Sequence, residues 1–291
     1  MKGDRYMNNI RLAKKYSQVI DEVYAETAKT AAIESDKGMM RETANAAEVM
    51  VPMLAMDGMA KYSRNDGYVK GNVSLTWTTM KFDYERGRRF EVDVLDNAES
   101  SGTAFGMLAG EFIRTKAVPE LDAVRFASLS DQAGDRGEGV LSSGDEVIAA
   151  LRAAVSSMDG SSVPEDQRVL FITSRLMGMI EDMDENKSRS VLGGFEKVVK
   201  VPQTRFSTAV KLNDGTTSGE EAGGFAPDGA DINFMIVHKP AVIVFTRNML
   251  SKIIPPELNP TSDNWVYAYR SYAMTHVYAN KSAGVYVHSV E

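Results

Sequence analysis

The sequence has no cysteine among its 291 residues, and it contains only three histidines and two tryptophans. A chain without thiols forms no disulfide, no zinc–thiolate site and no iron–sulfur cluster, and it has no cysteine nucleophile. His238, His276 and His288 fall on separate strand-like segments, so their spacing predicts no metal site. We therefore expect no metal and no cofactor.

Motifs of catalysis and long hydrophobic runs are also missing. The sequence has neither a Walker A loop nor a Gly-x-Ser-x-Gly motif, and its adjacent carboxylate pairs, Glu165 with Asp166 and Glu220 with Glu221, lack an evident pocket. No stretch of about 18 apolar residues occurs, and the N-terminus lacks the apolar core of a signal peptide. These absences predict a non-enzymatic protein that is made in the cytosol.

The composition that is present describes a folded acidic protein. Hydrophobic residues make up 43% of the chain, enough for a substantial core in one large domain or two closely joined ones. The formal net charge is -7, whereas a protein that wraps nucleic acid needs a concentrated basic surface. The charge therefore argues against tight DNA binding by the chain as a whole.

The N-terminal segment has the pattern of an amphipathic helix over residues 8–28. Its apolar face has helical spacing, and it consists of Leu12, Tyr16, Val19, Ile20, Val23, Tyr24 and Thr27. A polar stretch follows to residue 47 and is typical of an extended arm. The apolar face therefore needs a partner, either on the chain's own body or on a neighbouring copy.

Residues 48–96 carry the pattern of a long β-hairpin. A short strand, EVMVPML, is followed by dense turn signals, and apolar residues then alternate from Val73, with a change of phase near Thr78 that predicts a bulge. The segment ERGR supplies a turn and apolar residues alternate again after it. Because a lone two-stranded ribbon is barely stable in water, we expect this hairpin to lie against its own domain or a neighbouring copy.

A long helix is predicted over residues 97–130. Gly102, Gly106 and Gly110 recur at every fourth position, which predicts that a chain segment passes close to this side of the helix. Pro119 interrupts the apolar stripe, so the helix is either kinked there or followed by a second helix that begins at Glu120.

The remainder of the chain predicts a mixed α/β layer. Asp145 is expected to cap a helix that ends near Gly160, and strands are expected at residues 169–173, 195–201, 232–237 and 242–245. The glycine-rich residues 213–230 predict a long mobile surface loop. Residues 265–290 are predicted to form a closing hairpin with its turn at 280–284.

Several stretches resemble the major capsid proteins of tailed bacteriophages, which have the Hong Kong 97-type fold, and in particular prophage capsid sequences of Gram-positive bacteria. These stretches are YSRNDGY, DYERGRRFEVD, AGEFIRTKAVPELDAVRFA, ADINFMIVHKPAVIV and NKSAGVYVH, and the resemblance covers essentially the whole chain. It implies an α+β fold with an N-terminal arm (residues 1–52), an E-loop hairpin (53–96), a P-domain spine helix (97–139), an A-domain (140–255) and strands that return to the P-domain (256–291).

The resemblance also implies a structural function. We expect the chain to self-assemble into hexamers and pentamers of an icosahedral shell that encloses double-stranded DNA without sequence-specific binding. A separate scaffolding protein, a portal and decoration proteins are the expected partners. The protein would be made in the cytoplasm of the bacterial host and reside in the virion.

The residues expected at contacts between subunits combine a basic cluster with exposed aromatic side chains. The arginines at the predicted hairpin turn suit carboxylates on a neighbour. The full set is Arg86, Arg88, Arg89, Trp77, Phe82, Tyr84, Tyr16 and Tyr24.

The sequence is also compatible with two alternative functions. The same fold builds encapsulin nanocompartments, whose inner face binds a cargo peptide. The other alternative is a soluble α/β enzyme whose pocket uses scattered residues, which the missing motifs disfavour.

Overall fold

The computed structural model describes residues 28–35, 41–42, 48–65, 67–93, 108, 110–183 and 191–290, with the backbone alone at 41–42 and 247–251. The N-terminal helix predicted over residues 8–28, with Tyr16 and Tyr24, lies outside the described residues except for Ala28. So do Gly102, Gly106 and most of the first half of the predicted long helix. No helix in the described ranges is both long enough and apolar enough to cross a membrane.

The described elements are thirteen strands and three α-helices. The helices are α1 (Val118–Asp131), α2 (Gly144–Gly160) and α3 (Ser174–Glu181). The strands are β1 (Arg41–Glu42), β2 (Glu48–Met56), β3 (Val73–Lys81), β4 (Tyr84–Val92), β5 (Asp135–Glu138), β6 (Arg168–Thr173), β7 (Lys197–Val201), β8 (Val210–Leu212), β9 (Phe225–Pro227), β10 (Ile232–His238), β11 (Val242–Ile254), β12 (Trp265–Val277) and β13 (Val285–Ser289).

A five-stranded sheet in the order β5-β13-β10-β6-β7 forms the larger body. Every side chain of β6 and of β10 is buried, because both faces of the sheet are covered. Leu170 and Ile172 point to the face that packs on α2 and α3. Val169 and Phe171 point to the opposite face, where they pack on α1. This sandwich confirms the mixed α+β class.

A three-stranded antiparallel sheet, β11-β12-β4, forms the second body. Its Tyr267 and Tyr269 pack on Ile113, Val118 and Leu121 at the start of α1. Further along α1, Phe126 and Leu129 belong to the core of the larger sheet. One helix therefore lies across both bodies.

The third sheet is an arm that projects from the second body. β2 and β3 pair antiparallel from Glu48 opposite Lys81 to Met56 opposite Val73, and β1 pairs with β2 at its base. We call residues 48–81 the hairpin arm and residues 57–72, which join its strands, the tip. A hairpin occurs within the predicted region, but it joins β2 to β3, and the predicted pairing of the strands on either side of ERGR is wrong.

The predicted turn at ERGR is wrong, because these residues lie inside β4, which pairs with β12. A Cβ atom on Gly87 would lie 2.8 Å from the Tyr269 carbonyl oxygen, so this glycine permits close strand packing instead of a turn. The predicted bulge near Thr78 is also wrong, since β2 and β3 pair without a register shift. The change of phase arises because the apolar residues switch from one face of β3 to the other.

A π-helical turn precedes Pro119 in the long helix. Residues 110–112 are helical, Ile113–Ala117 form the π turn, and Val118 donates its backbone N–H to the Ile113 carbonyl. Pro119 has no N–H and falls in the first turn of α1, where none is required. The helical conformation therefore continues from the π turn through Pro119, and no separate helix begins at Glu120.

Gly110 borders open space within the described chain. A Cβ atom built at this position meets no heavy atom within 4 Å. No described segment therefore passes close to Gly110, and the predicted close approach to the glycine face stays a prediction.

Residues 28–35 form a strap between the two bodies. The Asp122 carboxylate of α1, 1% exposed, accepts hydrogen bonds from the backbone N–H groups of Lys29 (2.9 Å) and Thr30 (3.1 Å). It also accepts one from Arg205 at 3.1 Å. The buried guanidinium of Arg125 donates to the Thr30 hydroxyl at 2.8 Å. These bonds join the strap, the helix and the segment after β7 in one buried polar network.

The end of the chain is divided between the two bodies. β12 pairs with β11 and β4, whereas β13 pairs with β10 and β5. The predicted closing hairpin is therefore wrong, because β12 and β13 pair with other strands and not with each other. The cap of α2 also differs, since Ser143 rather than Asp145 is the N-cap.

We predict that Asp122→Ala lowers the free energy of unfolding by about 3–5 kcal/mol, because it leaves Arg205 and two backbone donors buried without their acceptor. Denaturant unfolding of the purified subunit measures this loss. Asp131→Ala, at an exposed position at the end of the same helix, is the matched control and should change stability by less than about 0.5 kcal/mol. Equal losses in the two variants would contradict the role assigned to the network.

Candidate assembly surface

One face of the hairpin arm is apolar and exposed. Cross-strand pairing places Leu54 beside Leu75 and Met56 beside Val73 on this face. Their side chains are 52%, 57%, 64% and 71% exposed, respectively. Trp77 continues the same face toward the body at 36% exposure. A contiguous apolar strip of this kind marks a surface that another polypeptide covers.

The opposite face of the arm has a different composition. Met53 pairs with Thr76 and Ala55 with Ser74, so the outer half of this face is small and largely polar. Closer to the body, Val49 and Val51 on the same face are buried against Ile243 and Met274. The arm is therefore anchored through one face at its base and exposes apolar side chains on the other face further out.

The tip carries an aromatic pair on a closed loop. Asp57 and Asn72 close its neck, with the Asp57 N–H donating to the Asn72 carbonyl at 3.0 Å and the Asn72 N–H donating to the Asp57 carboxylate at 2.8 Å. The rings of Tyr62 and Tyr68 lie 4.9 Å apart and are 56% and 88% exposed. Aromatic side chains presented this way are typical interface anchors.

The predicted arginine cluster lies on β4 and makes its contacts within the chain. The Arg86 Nε donates to Glu120 at 2.9 Å, and its Nη2 donates to the Asn213 carbonyl at 2.7 Å. Arg88 donates to the Glu221 carbonyl at 3.0 Å, while Arg89 pairs with Glu91 at 2.6 Å. The expectation that these groups sit at the hairpin tip is wrong, because their strand belongs to the second body.

Two predicted aromatic contacts are also used inside the chain. Tyr84 is 5% exposed and donates its hydroxyl to Glu120 at 3.0 Å. Phe82 is half-buried, and its ring packs 6.2 Å from that of Phe245. Of the predicted contact residues in the described chain, Trp77 alone lies on the exposed apolar strip. The sequence prediction missed Leu54, Met56, Val73 and Leu75 beside it, although alternation along β3 is the signal that identifies two of them.

Tyr84, Arg86 and Glu120 form a buried polar triad between β4 and α1. Burial and the charge of the neighbouring Glu120 carboxylate raise the pKa of the Tyr84 hydroxyl well above its ordinary value. Burial likewise raises the pKa of Tyr267 in the same core. The triad holds the second sheet on the helix.

The loop predicted to be long and mobile is a compact hairpin over the triad. β8 and β9 pair as its stem, and the Asn213 N–H donates to the Gly224 carbonyl at 3.0 Å. Asp214 accepts the backbone N–H groups of Thr216 and Thr217 at 2.7 and 2.8 Å. These bonds hold the loop in a compact conformation. The bond from Arg86 to the Asn213 carbonyl holds the loop against β4.

A large open cavity lies between this loop, β4 and the helical turns before α1. Its volume is about 1030 Å³. Its apolar lining includes the half-buried Phe90, Leu108 and Phe112, and its rim includes Arg88, Lys116 and Glu111. The described residues contain no group of three or more histidine and carboxylate side chains arranged to hold a metal ion. The cavity is therefore suited to apolar side chains.

The chain matches no known protein-family model, and no curated protein matches its sequence. Solved structures do match its fold. A Gordonia phage Cozz structure is 11% identical with a TM-score of 0.60, and the match covers 90% of this chain and 86% of the other. The capsid structure of cyanophage P-SCSP1u is 11% identical with a TM-score of 0.55, covering 86% and 85%. A virus-like particle from Pyrococcus furiosus is 11% identical with a TM-score of 0.53, covering 94% and 98%.

These matches cover between 86% and 94% of the chain. The chain therefore has the Hong Kong 97-type fold of phage capsid proteins, and the predicted fold class is confirmed.

We predict that the stability of the subunit falls as the pH rises above about 10, the pKa of an unfolded tyrosine. The unfolded chain then loses protons that the buried tyrosines retain, so each such group lowers the free energy of unfolding, with a limiting slope of about 1.4 kcal/mol per pH unit well above pH 10. Tyr84→Phe should remove about 1 kcal/mol of this loss between about pH 10 and 11, where an unfolded tyrosine is only partly ionised, as measured by denaturant unfolding.

Tyr62→Phe, which alters an exposed ring at the tip, is the control and should leave the slope unchanged. An unchanged slope in Tyr84→Phe would show that this hydroxyl ionises equally in the folded and unfolded chain.

Proposed function

We propose that the chain is the structural subunit of an icosahedral capsid shell, built from hexamers and pentamers, that encloses double-stranded DNA. The observation that carries this proposal is the exposed apolar strip on the hairpin arm. A two-stranded ribbon with this surface is marginal in water, so burial against a second copy supplies the stability that the isolated arm lacks. The fold match to phage capsid structures supports the same conclusion.

The proportions of the arm suit a contact between copies. Each of its strands has nine residues, which extend for about 30 Å at 3.3 Å per residue. The strip and the tip therefore lie beyond the chain's own two bodies. In a closed shell, every subunit donates such an arm and also receives one, so the interface repeats around the ring.

The charge of the chain suits a container for DNA. A net charge of -7 disfavours general adhesion to phosphates. A subunit that lines a packed genome then holds the DNA by enclosure and leaves it free to be released. The shell accordingly needs no sequence-specific contact with DNA.

A structural role also accounts for the buried polar groups. Glu120 is bonded to Tyr84 and Arg86, and Asp122 is bonded to the strap and Arg205. Each of these carboxylates is an acceptor that joins two elements of the fold. Because these carboxylates stabilise the fold, their arrangement supports a structural subunit and not an enzyme.

Partners and location follow from a shell function. We propose that the subunit resides in the virion after synthesis in the bacterial cytoplasm, and that a scaffolding protein, a portal and decoration proteins join it during assembly. Among these proposed contacts, the exposed strip on the hairpin arm supports directly only those between copies of the subunit.

A protein nanocompartment is the second candidate, because the match to the Pyrococcus furiosus virus-like particle covers 98% of that chain. The contents of the assembled particle distinguish the capsid from the nanocompartment. Packaged DNA supports the capsid, whereas a shell that holds a protein cargo and no DNA supports the nanocompartment.

We predict that Leu75→Asp prevents shell formation, because it places a charge on the apolar strip that a neighbour would bury. Negative-stain microscopy and sedimentation of the expressed protein measure the result, and shells should fall to less than about a tenth of the wild-type yield. The thermal transition of the unassembled subunit should stay within a few degrees, since the side chain is exposed in the single chain.

Ser74→Asp is the matched control, since it introduces the same residue one position away on the opposite face of the arm. It should assemble as the wild type does. Normal shells from Leu75→Asp would exclude the apolar strip as a contact between copies.

A further inference from the structure

The large cavity beside the helix is an apolar site that the described chain leaves open. Phe90, Leu108 and Phe112 line it and are only half-buried. Gly110 also lines it, and a Cβ atom at this position would meet no heavy atom within 4 Å. A glycine that faces such a space leaves room for side chains from another segment.

The described chain begins at the edge of this site. Ala28 is buried in the same cluster as Tyr84, Ile113 and Tyr269, and Tyr84 and Tyr269 also line the cavity. Asp122 fixes the next two residues through their backbone N–H groups. The preceding segment must therefore reach the body within a few residues of the cavity.

The preceding segment has the complementary surface. Residues 8–27, which lie outside the described residues, carry the apolar face identified in the sequence, with Val19, Ile20, Val23 and Tyr24 nearest to Ala28. A helix of this length extends for about 30 Å, enough to lay two turns in the cavity while its basic first half continues past it.

From these observations we propose that residues 8–27 of the same chain dock with their apolar face in the cavity between β4, the helical turns before α1 and residues 213–224. The docked segment covers the half-buried aromatic floor and gives the glycine face its neighbour. This docking occurs in the single subunit, so it does not depend on the proposed capsid function.

Hydrogen–deuterium exchange of the full-length, unassembled protein tests the proposal. In the wild type, the amides of residues 16–27 should be protected. Gly110→Leu fills the cavity without meeting the body and costs no helix propensity, so it should reduce that protection by at least about tenfold while the core amides stay protected. Gly178→Leu is the matched control, because Gly178 is a helical glycine on α3 that also has no heavy atom within 4 Å of its Cβ position.

A second pair of variants changes the segment itself. Val19→Asp, on the apolar face, should lose the protection, whereas Gln18→Asp, on the neighbouring polar face, should retain it. Together the two pairs of variants distinguish specific docking of the segment in the cavity from a general loss of helix in the segment.

Three results would overturn the proposal. Unprotected amides in the wild type would show that the segment does not dock, and equal protection in Gly110→Leu and Gly178→Leu would place it elsewhere. Protection that rises with protein concentration would make a second copy the occupant. Shell formation is scored separately by microscopy, so a failure of this docking leaves the capsid proposal standing, and the reverse also holds.

Discussion

The buried carboxylate of Asp122 is the contact on which the arrangement of the two bodies depends. It lies on the helix that crosses both cores, and it binds the strap on one side and Arg205 on the other. A buried carboxylate is stable only when donors satisfy its oxygens, so the three elements have to meet at one position. The strap and the segment after β7 are thereby held at a single site on the helix.

The same helix accounts for the form of the arm. Its first turns pack on the second sheet, whose strand β4 follows directly after the arm. The base of the arm is anchored by Val49 and Val51, while its outer half keeps an apolar face in water. In the proposed capsid shell, this asymmetry gives a subunit that is rigid where it carries its own fold and that presents an apolar contact surface to another copy.

The sequence by itself determined the class of fold and much of its order along the chain. Runs of apolar residues predicted β6, β7 and β10 of the larger sheet to within a few residues, and the sequence motifs resembled those of the Hong Kong 97-type capsid fold. Local patterns succeed here because strand periodicity and helix spacing are properties of neighbouring residues. The absence of cysteine likewise excluded thiol chemistry without reference to structure.

Tertiary structure alone decided which strands pair and which charges stay exposed. The segment ERGR has the composition of a turn, but pairing with β12 makes it a strand, because an edge with matching register buries Tyr84 and lets Arg86 reach Glu120. The two-stranded arm uses the earlier turn signals instead. Strands that are far apart in the chain pair according to the total side-chain area that they bury. A short stretch of sequence does not reveal this area. The sequence could therefore predict that a hairpin in this region needs a surface to lie against, whereas the fold decided which strands form it and which of its faces is exposed.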